Sequence, residues 1–193
     1  MLYKKFQCPD NIFEPKKLLN YYNSKLLEFG HSKALETYGD ILSTVGDKNN
    51  HLFLGLNVLC PKLMKWINDC KMEYCKEVFK DKPFKLVFNR FWINSMNPNA
   101  EVKVHTHQPE CIVLVFYLNA SNNSGDLVLV DYPFSLGKEL KLLNEYPEHT
   151  KIHIPVNTGD LVIHRGLTPH GVSAWKGSTP RISIIVQYGI NWI

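Results

Sequence analysis

Two hydrophobic periods divide the chain. Over much of the first 80 residues, apolar positions recur every three or four residues; from Phe84 the period changes. Leu18, Leu19, Tyr22, Leu26 and Phe29 follow Glu14-Pro15 at helical spacing. Proline suits a first helical turn, and Gly30 is a natural stop. Leu63, Ile67, Cys70, Tyr74 and Val78 predict a second helix from near Pro61 to about Lys80, ended by Asp81-Lys82-Pro83. Both helices read as a layer packed against a sheet. Residues 31 to 57, interrupted by Gly39, Gly46 and Gly55, read as a long, partly irregular connection.

The second half reads as strands. Phe84 to Asn94 is rich in aromatic and β-branched residues, and Asn97-Pro98-Asn99 is a turn. Strands are expected at Glu101–His107, Glu110–Asn119, Gly125–Asp131, Lys151–Pro155, Asp160–His164, His170–Ala174 and Pro180–Tyr188. Turn chemistry separates them at Asn119 to Gly125, Thr158-Gly159-Asp160 and Lys176-Gly177-Ser178. Many short strands at this spacing predict a mainly β fold, a sandwich or barrel. The division expected is a helical support region over 1–83 and a β core over 84–193, forming one structural unit. The long, charged stretch from Tyr132 to Thr150 joins site-bearing strands, where a substrate-covering lid would be placed.

Composition changes this picture little. Hydrophobic residues make up 45% and charged residues 21% of 193, ordinary values for a globular chain. The net charge of +4 comes from lysines interleaved with acids, so nucleic-acid binding is not indicated by charge. The five cysteines, Cys8, Cys60, Cys70, Cys75 and Cys111, include no Cys-x-x-Cys pair, which argues against a zinc ribbon and a disulfide framework. Cys111 reads as a small core residue. No apolar stretch follows Met1-Leu2-Tyr3-Lys4-Lys5, and the longest apolar run, Cys111 to Leu118, is far too short to span a bilayer. A cytoplasmic protein without a membrane partner is expected.

The candidate chemistry lies between His105 and Arg181. His105 and His107, at i and i+2 of an expected strand, point to one face. His170, far along the chain, can close a three-cornered metal site from a neighbouring strand. After ten intervening residues come Arg181 and Ser183, again i and i+2, able to face one pocket. The pattern reads as a mononuclear non-haem metal site beside an anion-binding arginine. His31, His51, His149, His153 and His164 have no partner at useful spacing and read as surface or satisfied core residues. Tyr117, Trp92 and Asn94 fit pocket lining and packing equally well.

Over about residues 84 to 190, these motifs resemble the Fe(II)- and 2-oxoglutarate-dependent oxygenases, whose pattern is His-x-Asp/Glu, a distal His, and Arg-x-Ser after ten more residues. His105-Thr106-His107, His170 and Arg181-Ile182-Ser183 occupy those positions. Val115-Phe116-Tyr117-Leu118-Asn119 followed by Gly125-Asp126-Leu127 is similar to the prolyl-hydroxylase branch. Phe91-Trp92-Ile93-Asn94 is similar to a group of small bacterial and phage members. The resemblance implies a double-stranded β-helix, a jelly-roll or cupin-like barrel with a helical N-terminal layer. It also implies Fe(II) held by His105, His107 and His170, and 2-oxoglutarate as co-substrate with its distal carboxylate on Arg181. Ser183 and Tyr117 would add donors to that carboxylate. With O₂, the implied reaction hydroxylates a C–H bond of a peptide or small molecule and releases succinate and CO₂.

His107 stands where the family has a carboxylate. A neutral imidazole there leaves the centre one unit more positive. Glu110 is the alternative third ligand, since Pro109 breaks the strand and its parity. Two other classes remain open. A cupin-type three-His enzyme, such as a thiol dioxygenase, would use His105, His107, Glu110 and His170. A non-catalytic β-barrel binding module would keep only the pocket. Arg181-Ile182-Ser183 at its distance favours the oxygenase.

Overall fold

The computed structural model describes residues 1–29, 37–38, 41–45, 52–121, 125–131, 141–174 and 176–193. Its strands are β1 (Tyr3–Gln7), β2 (Thr37–Tyr38), β3 (Ile41–Ser43), β4 (Phe84–Met96), β5 (Glu101–His105), β6 (Cys111–Asn119), β7 (Leu127–Val130), β8 (Lys151–Ile154), β9 (Asp160–Arg165), β10 (His170–Val172) and β11 (Arg181–Trp192). They form a major sheet in the order β1-β9-β6-β11-β4-β3 and a minor sheet in the order β2-β5-β10-β7-β8. Pairing is antiparallel throughout the described residues. This is the expected double-stranded β-helix, built as two facing sheets rather than a closed barrel.

Alternation on the central strands builds both layers at once. On β6, Ile112, Leu114, Phe116 and Leu118 face the helices, while Cys111, Val113, Val115 and Tyr117 face the minor sheet. Both faces are buried, so the segment reads as one continuous apolar run. Helices α1 (Pro15–Phe29), α2 (Leu52–Leu59) and α3 (Pro61–Phe79) cover the outer face of the major sheet. Phe116 meets Phe13 at 5.0 Å and Trp66 at 6.2 Å between ring centroids, both edge-on. Truncating such a buried ring costs about 3–5 kcal/mol. No helix among the described residues is long and apolar enough to cross a membrane.

The helices at Pro15–Phe29 and Pro61–Phe79 fall where periodicity places them. β1, β2, β3 and α2 do not, and two of them show why. The N-terminal region is not only helical: β1 pairs with β9, from Tyr3↔His164 to Gln7↔Asp160. Its lysines made it look like plain surface, but they suit an edge strand. Lys4 binds Glu73 and Glu77 of α3, and Lys5 reaches the buried carboxylate of Asp160 at 2.8 Å. The second is α2, which falls within and just beyond the stretch expected to be irregular. Gly55, taken as a break, is a packing glycine, because a Cβ there would run into the Tyr21 hydroxyl of α1.

Of the stretch expected as a lid, residues 132–140 lie outside the described residues. From Lys141 the chain lies on the outer face of the minor sheet. The Lys141 carbonyl accepts the Val104 N–H at 2.9 Å, and Leu143 and Tyr146 pack on Val104, Val128 and Val130.

Candidate metal centre

The space between the sheets is a cavity of about 150 Å³. Arg181, Ser183, Ile185 and Gln187 enter it from β11, and Arg90, Trp92, Asn94 and Met96 from β4. The intervening residues Ile182, Ile184 and Val186 of β11, and Phe91 and Ile93 of β4, pack under the helices.

His105 and His170 meet because the minor sheet makes them direct cross-strand partners. Their rings lie 4.4 Å apart, and the His107 ring lies 5.1 Å from each. One ligating atom from each of the three falls within 4.8 Å of the others. His107 does not arrive by the strand alternation that the sequence suggested, since β5 ends at His105. Its N–H donates instead to the Gly166 carbonyl at 2.8 Å, which pulls the turn over the sheet. Glu110 is exposed and does not line the cavity.

The tautomers of two rings follow from their partners. His105 Nδ1 lies 2.9 Å from the Lys103 carbonyl, and His170 Nδ1 lies 2.8 Å from the Thr168 carbonyl. A carbonyl can only accept, so both Nδ1 atoms carry the proton, which in the neutral ring leaves the lone pair on Nε2. Burial holds His107 and His170 well below the usual imidazole range, reinforced by the neighbouring histidines. Neutral rings with a bare Nε2 are what a divalent metal requires. The donor set therefore fits Fe(II).

The far end of the cavity holds a buried guanidinium. Arg181 is 2% exposed, and its Nη1 donates to the Gly125 carbonyl at 2.8 Å. Its guanidinium stands over the Tyr117 ring at 4.8 Å. The Tyr117 hydroxyl is fully buried beside that guanidinium. Ser183 sits between Tyr117 and Asn94 in the sheet register. A buried guanidinium beside a buried hydroxyl suits a carboxylate, which can accept from both.

Sequence reasoning missed one residue here. His164, read as surface or satisfied core, is fully buried on β9 with its ring 4.3 Å from His170. Its Nδ1 donates to the Arg165 carbonyl at 2.9 Å, and its Nε2 has no partner among the described residues. Burial lowers its pKa to about 4. The alternation of β9, with Val162 facing inward, was the signal that could have placed it. Of the other histidines, His149 and His153 are exposed, and His31 and His51 lie outside the described residues. All five cysteines are buried and free.

No curated protein matches the chain. Solved structures share its fold. A Pseudomonas putida prolyl-4-hydroxylase superposes with a TM-score of 0.59 at 12% identity, covering 97% of this chain and 91% of that one. AviO1 from Streptomyces viridochromogenes Tue57 gives 0.60 at 17%, covering 97% and 89%. HygX from Streptomyces hygroscopicus, with nickel and 2-oxoglutarate bound, gives 0.56 at 14%, covering 97% and 82%. The family model described as "Putative 2OG-Fe(II) oxygenase" matches residues 90–187, about half of the chain. That match runs from Arg90 to Gln187 and includes all three clustered histidines and Arg181, and the chain belongs to the 2OG-Fe(II) oxygenases, enzymes that use Fe(II), 2-oxoglutarate and O₂.

Proposed function

We propose that this chain is an Fe(II)- and 2-oxoglutarate-dependent dioxygenase that hydroxylates a C–H bond of a peptide or small molecule. In this reading His105, His107 and His170 hold the metal, while Arg181, Ser183 and Tyr117 hold the co-substrate. The observation that carries it is the pairing of three converging imidazoles with a buried arginine in one cavity. When bound, iron with 2-oxoglutarate and O₂ supplies hydroxylation of a C–H bond, coupled to conversion of the co-substrate to succinate and CO₂.

The residues divide the work. The Lys103 and Thr168 carbonyls fix the orientation of two ligand rings. Arg181 offers a planar fork to the distal carboxylate, and Gly125 holds that fork in place. The apolar walls from Val113, Val115 and Ile185 exclude water from the space between. Among the structural neighbours, HygX has been solved with hygromycin B, and a Trichoplax adhaerens prolyl hydroxylase with a peptide fragment. Both substrate classes therefore occur on this fold.

One feature favours a second reading. His107 in place of a carboxylate also suits a three-His enzyme that uses no 2-oxoglutarate. Anaerobic titration of the Fe(II) protein with 2-oxoglutarate separates the two. A weak visible metal-to-ligand charge-transfer band, weakened by Arg181→Ala, supports the oxygenase. Iron binding without that band moves the three-His reading ahead.

A further inference from the structure

A polar side chain on the cavity wall is held from behind and keeps its other end for the cavity. Gln187 is 3% exposed and lines the cavity from β11, beside the apolar Val113 and Ile185. Its neighbours Val186 and Tyr188 pack toward the helices instead. Across the sheet Gln187 pairs with Arg90 and Tyr188 with Phe88, so Asn89 is the extra residue of a β-bulge at this point. Bulges are common beside active sites, where they aim side chains.

A chain of hydrogen bonds sets which way the Gln187 amide points. The Cys111 thiol donates to the Gln108 carbonyl at 3.0 Å, and burial pushes that thiol above its ordinary range, so it keeps the proton it donates. Its sulfur is left only to accept, and it accepts from Gln187 Nε2 at 3.2 Å. A flipped amide would set Oε1 against a sulfur with no proton to give. Oε1 therefore faces away from Cys111. Among the described residues nothing donates to it, and it is not sealed within the core. An amide oxygen set in an apolar wall is costly until a donor meets it. The same anchor ties Gln187 to the metal end of the cavity. The Cys111 carbonyl accepts the Gly166 N–H at 2.8 Å, and the Gly166 carbonyl accepts the His107 N–H at 2.8 Å.

We propose that Gln187 is a specificity-determining residue for the prime substrate, its Oε1 accepting a hydrogen bond from an uncharged hydroxyl or amide N–H next to the carbon that reacts. This rests on the oxygenase reading, in which the histidines and Arg181 serve the metal and the co-substrate. The described residues that line the cavity include Arg90 and Arg181 but no aspartate or glutamate, so an ammonium donor would enter without a counter-charge. A neutral donor meets the same oxygen without that cost. An analogue with a methyl group in place of the donor hydrogen leaves Oε1 unpaired and is disfavoured.

The test uses Zn(II)-loaded protein saturated with 2-oxoglutarate. Two matched pairs of probes are titrated, N-methylacetamide against N,N-dimethylacetamide and ethylene glycol against 1,2-dimethoxyethane. Within each pair only the first compound has a donor hydrogen. The readout is the indole N–H resonance of Trp92, which lines the same cavity, assigned with Trp92→Phe. The expected result is a saturable shift with at least one donor probe, binding about fivefold or more tighter than its methylated partner, the worth of one neutral hydrogen bond. Gln187→Leu should abolish that preference while leaving 2-oxoglutarate affinity unchanged. Cys111→Ala, which frees the amide to turn, should reduce the preference, and Cys111→Ser, which keeps the donor and the acceptor, should retain it. A preference for N-methylacetamide points to a substrate amide, and one for ethylene glycol to a substrate hydroxyl. No saturable shift, no preference within either pair, or a preference that survives Gln187→Leu would overturn the proposal. Failure of 2-oxoglutarate to bind, with the Gln187-dependent preference preserved, would overturn the oxygenase reading and leave the donor-recognising site standing.

Discussion

His105 and His170 are each other's partners across the β5–β10 pair, and their rings are tethered in the same way, each Nδ1 donating to the carbonyl two residues earlier. The proposed metal-binding geometry thus depends on one strand pairing and two backbone bonds. His107 enters by a different route, through the Gly166 carbonyl.

This difference sets the response to substitution. His105→Ala and His170→Ala are each expected to lower Fe(II) affinity at least a hundredfold, measured by anaerobic calorimetry. His107→Asp should retain the metal, because a carboxylate at that position can still ligate. Loss of metal binding in His107→Asp together with full binding in His107→Ala would remove His107 from the ligand set.

Arg181→Ala should leave Fe(II) affinity unchanged and raise the Kd for 2-oxoglutarate. A charge-assisted hydrogen bond of about 1.5–3 kcal/mol corresponds to roughly a 10- to 150-fold change. Unchanged co-substrate affinity would show that the anion sits elsewhere.

Gly125 has φ +78°, and a Cβ there would strike the Ser173 carbonyl. The same residue's carbonyl holds Arg181. Gly125→Ala should cost upward of about 1 kcal/mol in urea unfolding, and it should also weaken 2-oxoglutarate binding. Destabilisation with no change in co-substrate affinity would separate the turn from the site.

The metal-free protein should lose stability in mild acid. His164, lowered to about 4, and His107 and His170, both depressed, refuse protons that the unfolded chain accepts below its ordinary value of 6.5. Their contribution is complete above about pH 6.5 and is lost as pH falls toward 4, at about 1.4 kcal/mol per pH unit for each proton. Urea unfolding across that range should show this slope, and His164→Phe should flatten it by about one proton. A slope unaltered by His164→Phe would mean that His164 titrates normally in the folded protein.

The sequence by itself determined what depends on neighbours in the chain. The two long helices follow from a three-to-four spacing of Leu18, Tyr22 and Leu26, and of Leu63, Ile67 and Tyr74. The core strands follow from alternation and turn residues, and Arg181 and Ser183 share a face because i and i+2 always do. The tertiary structure decided what depends on a distant partner. Lys4 and Lys5 lie in a strand because β9 offers an edge and Asp160 and Glu73 offer counter-charges. His107 turns inward because the Gly166 carbonyl is there to receive its N–H. His164 belongs beside His170 because two sheets face each other, and Arg90 points into the cavity because β11 pairs around Asn89. Local periodicity fixes which face a residue takes within its own element. Which element lies opposite, and where the register slips by one, is set by strands up to about 160 residues away, and there the site is assembled.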